Sequence, residues 1–156
     1  MISDLFINLI LALVFGASIG LERESSKQGE SHTGSVGGIR TFSLISLMGA
    51  LTGVFFLHHY ETLAIIVVVG FLVLLIANYI IEGLNTKDFG ITSELSAFAT
   101  FLIGLLVMIN IIPLQITVAI LVILVFIMSL KSRTTKLVAG VSRQEIQSFI
   151  SYAIIA

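Results

Sequence analysis

The sequence predicts an all-α, polytopic membrane bundle of about five transmembrane helices, and three observations carry that prediction. Of 156 residues, 57% are hydrophobic and only 11% are charged, where an ordinary soluble domain carries about 25% charge. Apolar runs close to the ~20 residues that cross a bilayer recur five times. All eight basic residues fall on one side of those runs. A soluble fold of this length buries only roughly 70% of the surface its unfolded chain exposes, and lipid is the solvent that accommodates so apolar a chain. The mean hydropathy of +1.13 agrees.

The first span is predicted at about 2–21. It is no cleaved signal peptide: it lacks a preceding basic residue, carries Asp4, and ends in Glu22-Arg23-Glu24 instead of a small-residue cleavage site. The second span runs over about 39–57, the third over 63–81, the fourth over 95–112 and the fifth over 114–130. Only Asn110-Ile111-Ile112-Pro113 separates the last two, so they form a tight hairpin in which proline opens the final helix. Residues 1–131 thus make a five-span membrane domain. Residues 132–156 follow as a cytoplasmic linker and the start of another helix. In the tail, Ile146, Phe149, Ile150, Ile154 and Ile155 recur at helical spacing. That pattern fits an amphipathic helix on the membrane surface or the beginning of a further span in a longer protein.

Charge sets the expected orientation. Arg23, Lys27 and Arg40 flank the first connection, Lys87 lies in the third, and Lys131, Arg133, Lys136 and Arg143 follow the fifth span. The second and fourth connections contain no Lys or Arg. Positive loops stay inside, which puts the N-terminus outside and the region after span five in the cytoplasm, in a cell inner membrane. A reporter fused at Lys136 is expected to read as cytoplasmic. The net charge of −1 gives no reason to expect a nucleic-acid partner, and without cysteine there are neither disulfides nor thiolate metal sites.

Polar residues inside apolar spans are costly and mark candidate sites. Asp4, Asn8, Ser18 and Glu22 fall within roughly 40° of one line on the first helix at 100° per residue. Gly16 and Gly20 lie on a largely different face, where another helix can approach closely. Gly49 and Gly53 repeat that spacing in span two, which suggests that these two helices meet or that they form a dimer seam. In span four, Ser96, Thr100 and Gly104 share one face with Ser93, suited to helix packing or to the wall of a polar cavity. Ser93 and Glu94 suit an N-cap followed by a dipole-favoured acid. Asn78 and Glu82 share a face at the inner end of span three. Glu22 and Glu24 close span one and Arg40 opens span two on the same side, where a guanidinium beside a carboxylate satisfies both. Glu22, Arg40, Asn78, Glu82, Glu94 and Asp4 are therefore the candidate ion or partner residues. His58, His59 and Glu61 at the outer turn make a poor metal set, because adjacent helical histidines point about 100° apart. No phosphate loop, nucleophile elbow or zinc motif is present, so no catalytic residue and no enzyme activity are expected.

Three segments carry a family resemblance: Gly20-Leu21-Glu22-Arg23-Glu24 after the first span, Gly38-Ile39-Arg40-Thr41 opening the second, and Phe89-Gly90-Ile91-Thr92-Ser93-Glu94 leading into the fourth. Together they resemble the MgtC/SapB membrane family over roughly residues 5–130. Short members place a small soluble domain after span five. This tail is more similar to the longer branch, and Glu94 stands where short members have a small residue. The resemblance implies a link to magnesium or ion homeostasis, exercised as a regulator or partner of other membrane machines such as the ATP synthase and cation transporters. It implies no cofactor, with magnesium a candidate ligand. The expected partners are the lipid bilayer and either a homodimer mate or another membrane protein. The competing expectation is a cation transporter or channel subunit that uses its intramembrane carboxylates.

Overall fold

The computed structural model describes residues 2–27, 37–86 and 91–139, which form five α-helices: α1 (Ile2–Lys27), α2 (Ile39–Leu57), α3 (Glu61–Thr86), α4 (Thr92–Ile109) and α5 (Leu114–Ala139). Among the described residues there is no strand, and the all-α expectation holds. Four helices are long and apolar enough to cross a membrane: residues Asp4–Ser26, Ile39–Leu57, Glu61–Asn85 and Thr92–Ile109. In α5 the apolar stretch is Leu114–Leu130, about 26 Å at 1.5 Å per residue, and the helix continues beyond it to Ala139. The tail from Ser142 to Ala156 lies outside the described residues.

The helices outrun the apolar segments that predict them. α1 extends to Lys27 and α3 to Thr86, well past 21 and 81. The residues added to α1 include Glu, Arg and Lys, which are good helix formers, so its backbone ladder does not stop where the hydrocarbon-compatible residues stop. Glu22, Arg23 and Glu24 therefore belong to the last turns of α1 and not to a loop. Two connections are tight. His59, at φ 62°, turns the chain between α2 and α3, with the Tyr60 N–H donating to Phe55 O at 2.9 Å. Asn110 ends α4 in the left-handed region at φ 55°, and its N–H donates to Leu106 O. The Pro113 carbonyl then accepts from Ile116 at 2.9 Å and Thr117 at 3.3 Å, so proline opens the fifth helix as its geometry favours.

The core is a three-helix unit. α2 packs most extensively on α4 and nearly as much on α1, and α1 also meets α4. Lipid tails are as apolar as leucine, so association relies on close packing and polar contacts between backbones. Glycine supplies the closeness. A Cβ on Gly16 would strike the Phe42 carbonyl and Ser46 of α2, and one on Gly20 would strike Ile39. A Cβ on Gly49 would collide with the Phe101 carbonyl of α4, and one on Gly104 with the Ser46 carbonyl of α2. The first glycine pair thus meets α2, as its spacing suggested. Gly49 and Gly53 do not answer it from the other side: they face Phe101 and Met108 of α4. The buried hydroxyl of Ser46 ties the layers together by donating to Ala12 O at 2.6 Å. Ser96 and Thr100 lie buried in α4 beside this seam.

α3 sits outside that unit. Only 11% of its spanning window is buried, against 28–50% for α1, α2 and α4. It is held midway by Phe71, whose ring stacks on Phe101 with centroids 4.6 Å apart, and at its C-terminal end by polar side chains.

A buried arginine–carboxylate corner

The polar contacts gather at one end of the bundle, where the last turns of α1 and α3 meet the first turn of α4. Arg23 is the centre. On α1 it continues the buried face of Ala12, Gly16, Ile19 and Gly20 at intervals of three and four residues, so helical geometry turns it inward. Its Nε donates to Ser96 Oγ at 3.2 Å, its Nη2 donates to the same oxygen, and Nη2 also reaches Thr92 O at 3.0 Å. The Ser96 hydroxyl donates to Ser93 O at 2.7 Å, which leaves its lone pairs for the guanidinium. The cation also lies over the buried Phe42 ring, 5.8 Å from its centroid, within cation–π range.

Two carboxylates act on that cation, Glu94 of α4 and Glu82 of α3. Glu94 is only 8% exposed. Its Oε1 accepts from Asn78 Nδ2 of α3 at 3.4 Å, a long bond, while its Oε2 is buried without a hydrogen-bond donor. A buried charge without a partner is heavily penalised, so the nearby guanidinium is what makes this carboxylate tolerable. The corner thus ties three helices together: α1 through Arg23, α4 through Ser96, Thr92 and Glu94, and α3 through Asn78 and Glu82.

The structure brings together three of the six residues singled out from the sequence, Asn78, Glu82 and Glu94, and places the others elsewhere. Glu22 is about 100° around α1 from Arg23. It lines a cleft against α5, with its Oε1 accepting from Ser26 Oγ at 2.9 Å. Asp4 lies near the opposite end of α1. Arg40 is exposed, and Glu24, not Arg40, bridges the α1–α2 connection: its Oε2 accepts from Ile39 N at 3.3 Å. Ser93 is no cap either. The N-cap position belongs to Ile91, with Ser93 inside the first turn. Arg23 is the residue that sequence reasoning missed. Ending the first span at 21 left it in a loop, where it counted only as an orientation charge. Extending the Gly16–Gly20 face by one turn would have found it. Among the described residues no group of three or more His, Asp or Glu side chains could hold a metal ion, and His58 and His59 are both exposed.

These features define a class: a multi-helix membrane protein with a glycine-packed core and a charged corner buried at one end. Within that class, the model of the MgtC family matches residues 9–137, a stretch that includes every glycine of the seam and every residue of the corner, and the chain belongs to this family. The family is linked to Mg2+ homeostasis and is not a known enzyme family. No curated protein and no solved structure matches the chain.

Proposed function

We propose that this protein is a regulatory, non-enzymatic component of magnesium homeostasis in the inner membrane, working through helix contacts with another membrane protein or a second copy of itself. The observation that carries this reading is the electrostatic attraction between Arg23 and the two carboxylates Glu94 and Glu82. In a cation pathway, carboxylates at membrane depth offer their charge to the passing ion. Here the chain's own guanidinium stands in that place, fixed by Ser96 and Thr92. The broad exposed surface of α3 provides apolar area for such contacts. The basic end of the bundle faces the cytoplasm in this reading, and the N-terminus lies outside.

A second reading, a cation transporter or channel subunit, draws on the buried Oε2 of Glu94 that accepts no hydrogen bond. Reconstitution separates the two. Proteoliposomes holding only this chain should carry no more Mg2+, Na+ or K+ than empty vesicles. Flux that Glu94→Gln abolishes would replace regulation by transport. A cysteine-reactive, membrane-impermeant label tests the orientation: cysteine placed at His59 should react from outside intact cells, and cysteine at Lys136 should not.

A further inference from the structure

α1 and α5 leave a cleft between them that opens sideways. Its polar wall is Ser18 and Glu22 of α1 with Ser129 of α5, and its apolar wall is Leu121, Val122, Val125 and Phe126 of α5. Leu121 is buried at the back of the cleft, whereas Val122 and Phe126 are exposed at its rim. From Leu121 to Ser129 the groove runs about 12 Å at 1.5 Å per residue, most of one leaflet of about 15 Å, half the hydrocarbon thickness. Its polar end is the Glu22 end. Glu22 directly follows Leu21, the last residue of the apolar run of α1, where hydrocarbon gives way to headgroups.

We propose that this cleft binds a phospholipid with a primary-ammonium headgroup, its acyl chain along Val122, Val125 and Phe126 and its ammonium on Glu22. Three points fix this occupant. A groove that opens laterally among lipid-facing side chains is filled from the bilayer. A carboxylate at the hydrocarbon boundary calls for a cationic partner, and a charge-assisted hydrogen bond is the strong form of that contact. Two residues of the polar wall, Glu22 and Ser18, present acceptors. Glu22 is held in place by Ser26, and Ser18 spends its proton on Val14 O at 2.9 Å, so its oxygen can accept. An ammonium carries several N–H donors for such a wall, a quaternary choline carries none, and a glycerol headgroup carries no positive charge at all. The inference stands whether the protein regulates or transports, because the cleft lies on the face of α1 turned away from Arg23.

Native mass spectrometry of the full chain, exchanged into equal mixtures of phosphatidylethanolamine, phosphatidylcholine and phosphatidylglycerol, tests it. Retained lipid should be enriched in phosphatidylethanolamine. Glu22→Gln should lower that enrichment roughly tenfold, since hydrogen bonds to charged groups are worth at least that factor. Glu61→Gln, at the other end of the bundle, should leave it unchanged. The comparison of ethanolamine with choline headgroups in the unsubstituted protein gives a result even where Glu22→Gln does not fold. Equal retention of the two headgroups, or enrichment that survives Glu22→Gln, would reduce the cleft to ordinary annular lipid and overturn the proposal. So would a second copy or another helix found crosslinked into the cleft in place of lipid.

Discussion

Arg23→Gln should be the most damaging single polar substitution in the protein, costing about 2–3 kcal/mol, because hydrogen bonds to charged groups contribute about 1.5–3 kcal/mol and Arg23 is half-buried. The glutamine removes a cation that attracts both Glu94 and Glu82 and leaves Glu94, already short of a donor at Oε2, buried without it. Arg23→Lys should recover only part of the loss. An ammonium keeps the charge but lacks the planar fork that spans Ser96 Oγ and Thr92 O. Adding Glu94→Gln to Arg23→Gln should restore stability, with a coupling of at least about 1 kcal/mol in a double-mutant cycle. Refolding in mixed micelles, followed by helical circular dichroism against SDS content, measures each term. A loss within about 0.5 kcal/mol, the range of ordinary surface substitutions, would mean that the corner is not a working network.

Alanine at Gly49 or Gly104 should separate α2 from α4, whereas alanine at Gly70 should be harmless. The added methyl is the same in all three. At Gly49 it meets the Phe101 carbonyl and at Gly104 the Ser46 carbonyl, both main-chain atoms that cannot rotate aside, while at Gly70 nothing lies within 4 Å. Overpacking typically costs about 1–3 kcal/mol, and a rigid backbone puts these two sites at the upper end or beyond it. Gly70→Ala carries no clash and gains helix propensity of up to about 1 kcal/mol. Disulfide trapping between cysteines introduced on α2 and α4 reads the result directly, because the chain has no cysteine of its own. Unchanged trapping in Gly104→Ala would show that the seam is looser than its geometry.

The architecture was legible in the sequence because lipid imposes a simple rule: apolar runs of membrane length must be helices. The seam was half legible. Small-residue spacing announces that a helix is closely approached, but not by which neighbour, so Gly16 and Gly20 were matched correctly to α2 while Gly49 was matched to the wrong side. The corner was legible in its acids and illegible in its base. Asn78 stands out because it interrupts an apolar span, and Glu82 and Glu94 because each directly borders one. Arg23 hides in a run of charges at a helix end, and only its phase on α1 shows that it points inward. The same phase separates Glu22 from Arg23, neighbours in sequence that serve different faces of α1.

The placement of α3 outside the core has a consequence for synthesis. The best partner of α2 is α4, yet α3 leaves the ribosome first. Roughly 35 residues must be added after α2 before α4 begins, which takes about two to seven seconds at about 5–20 residues per second. During that interval the Gly49 groove of α2 is open in the membrane, and α3 is the only downstream helix at hand to cover it. A helix that settled there firmly would exclude α4. The lighter hold of α3, an apolar patch around Phe71 with Val67, Val68 and Leu75 and a few polar contacts, lets it yield its place when the rightful neighbour arrives.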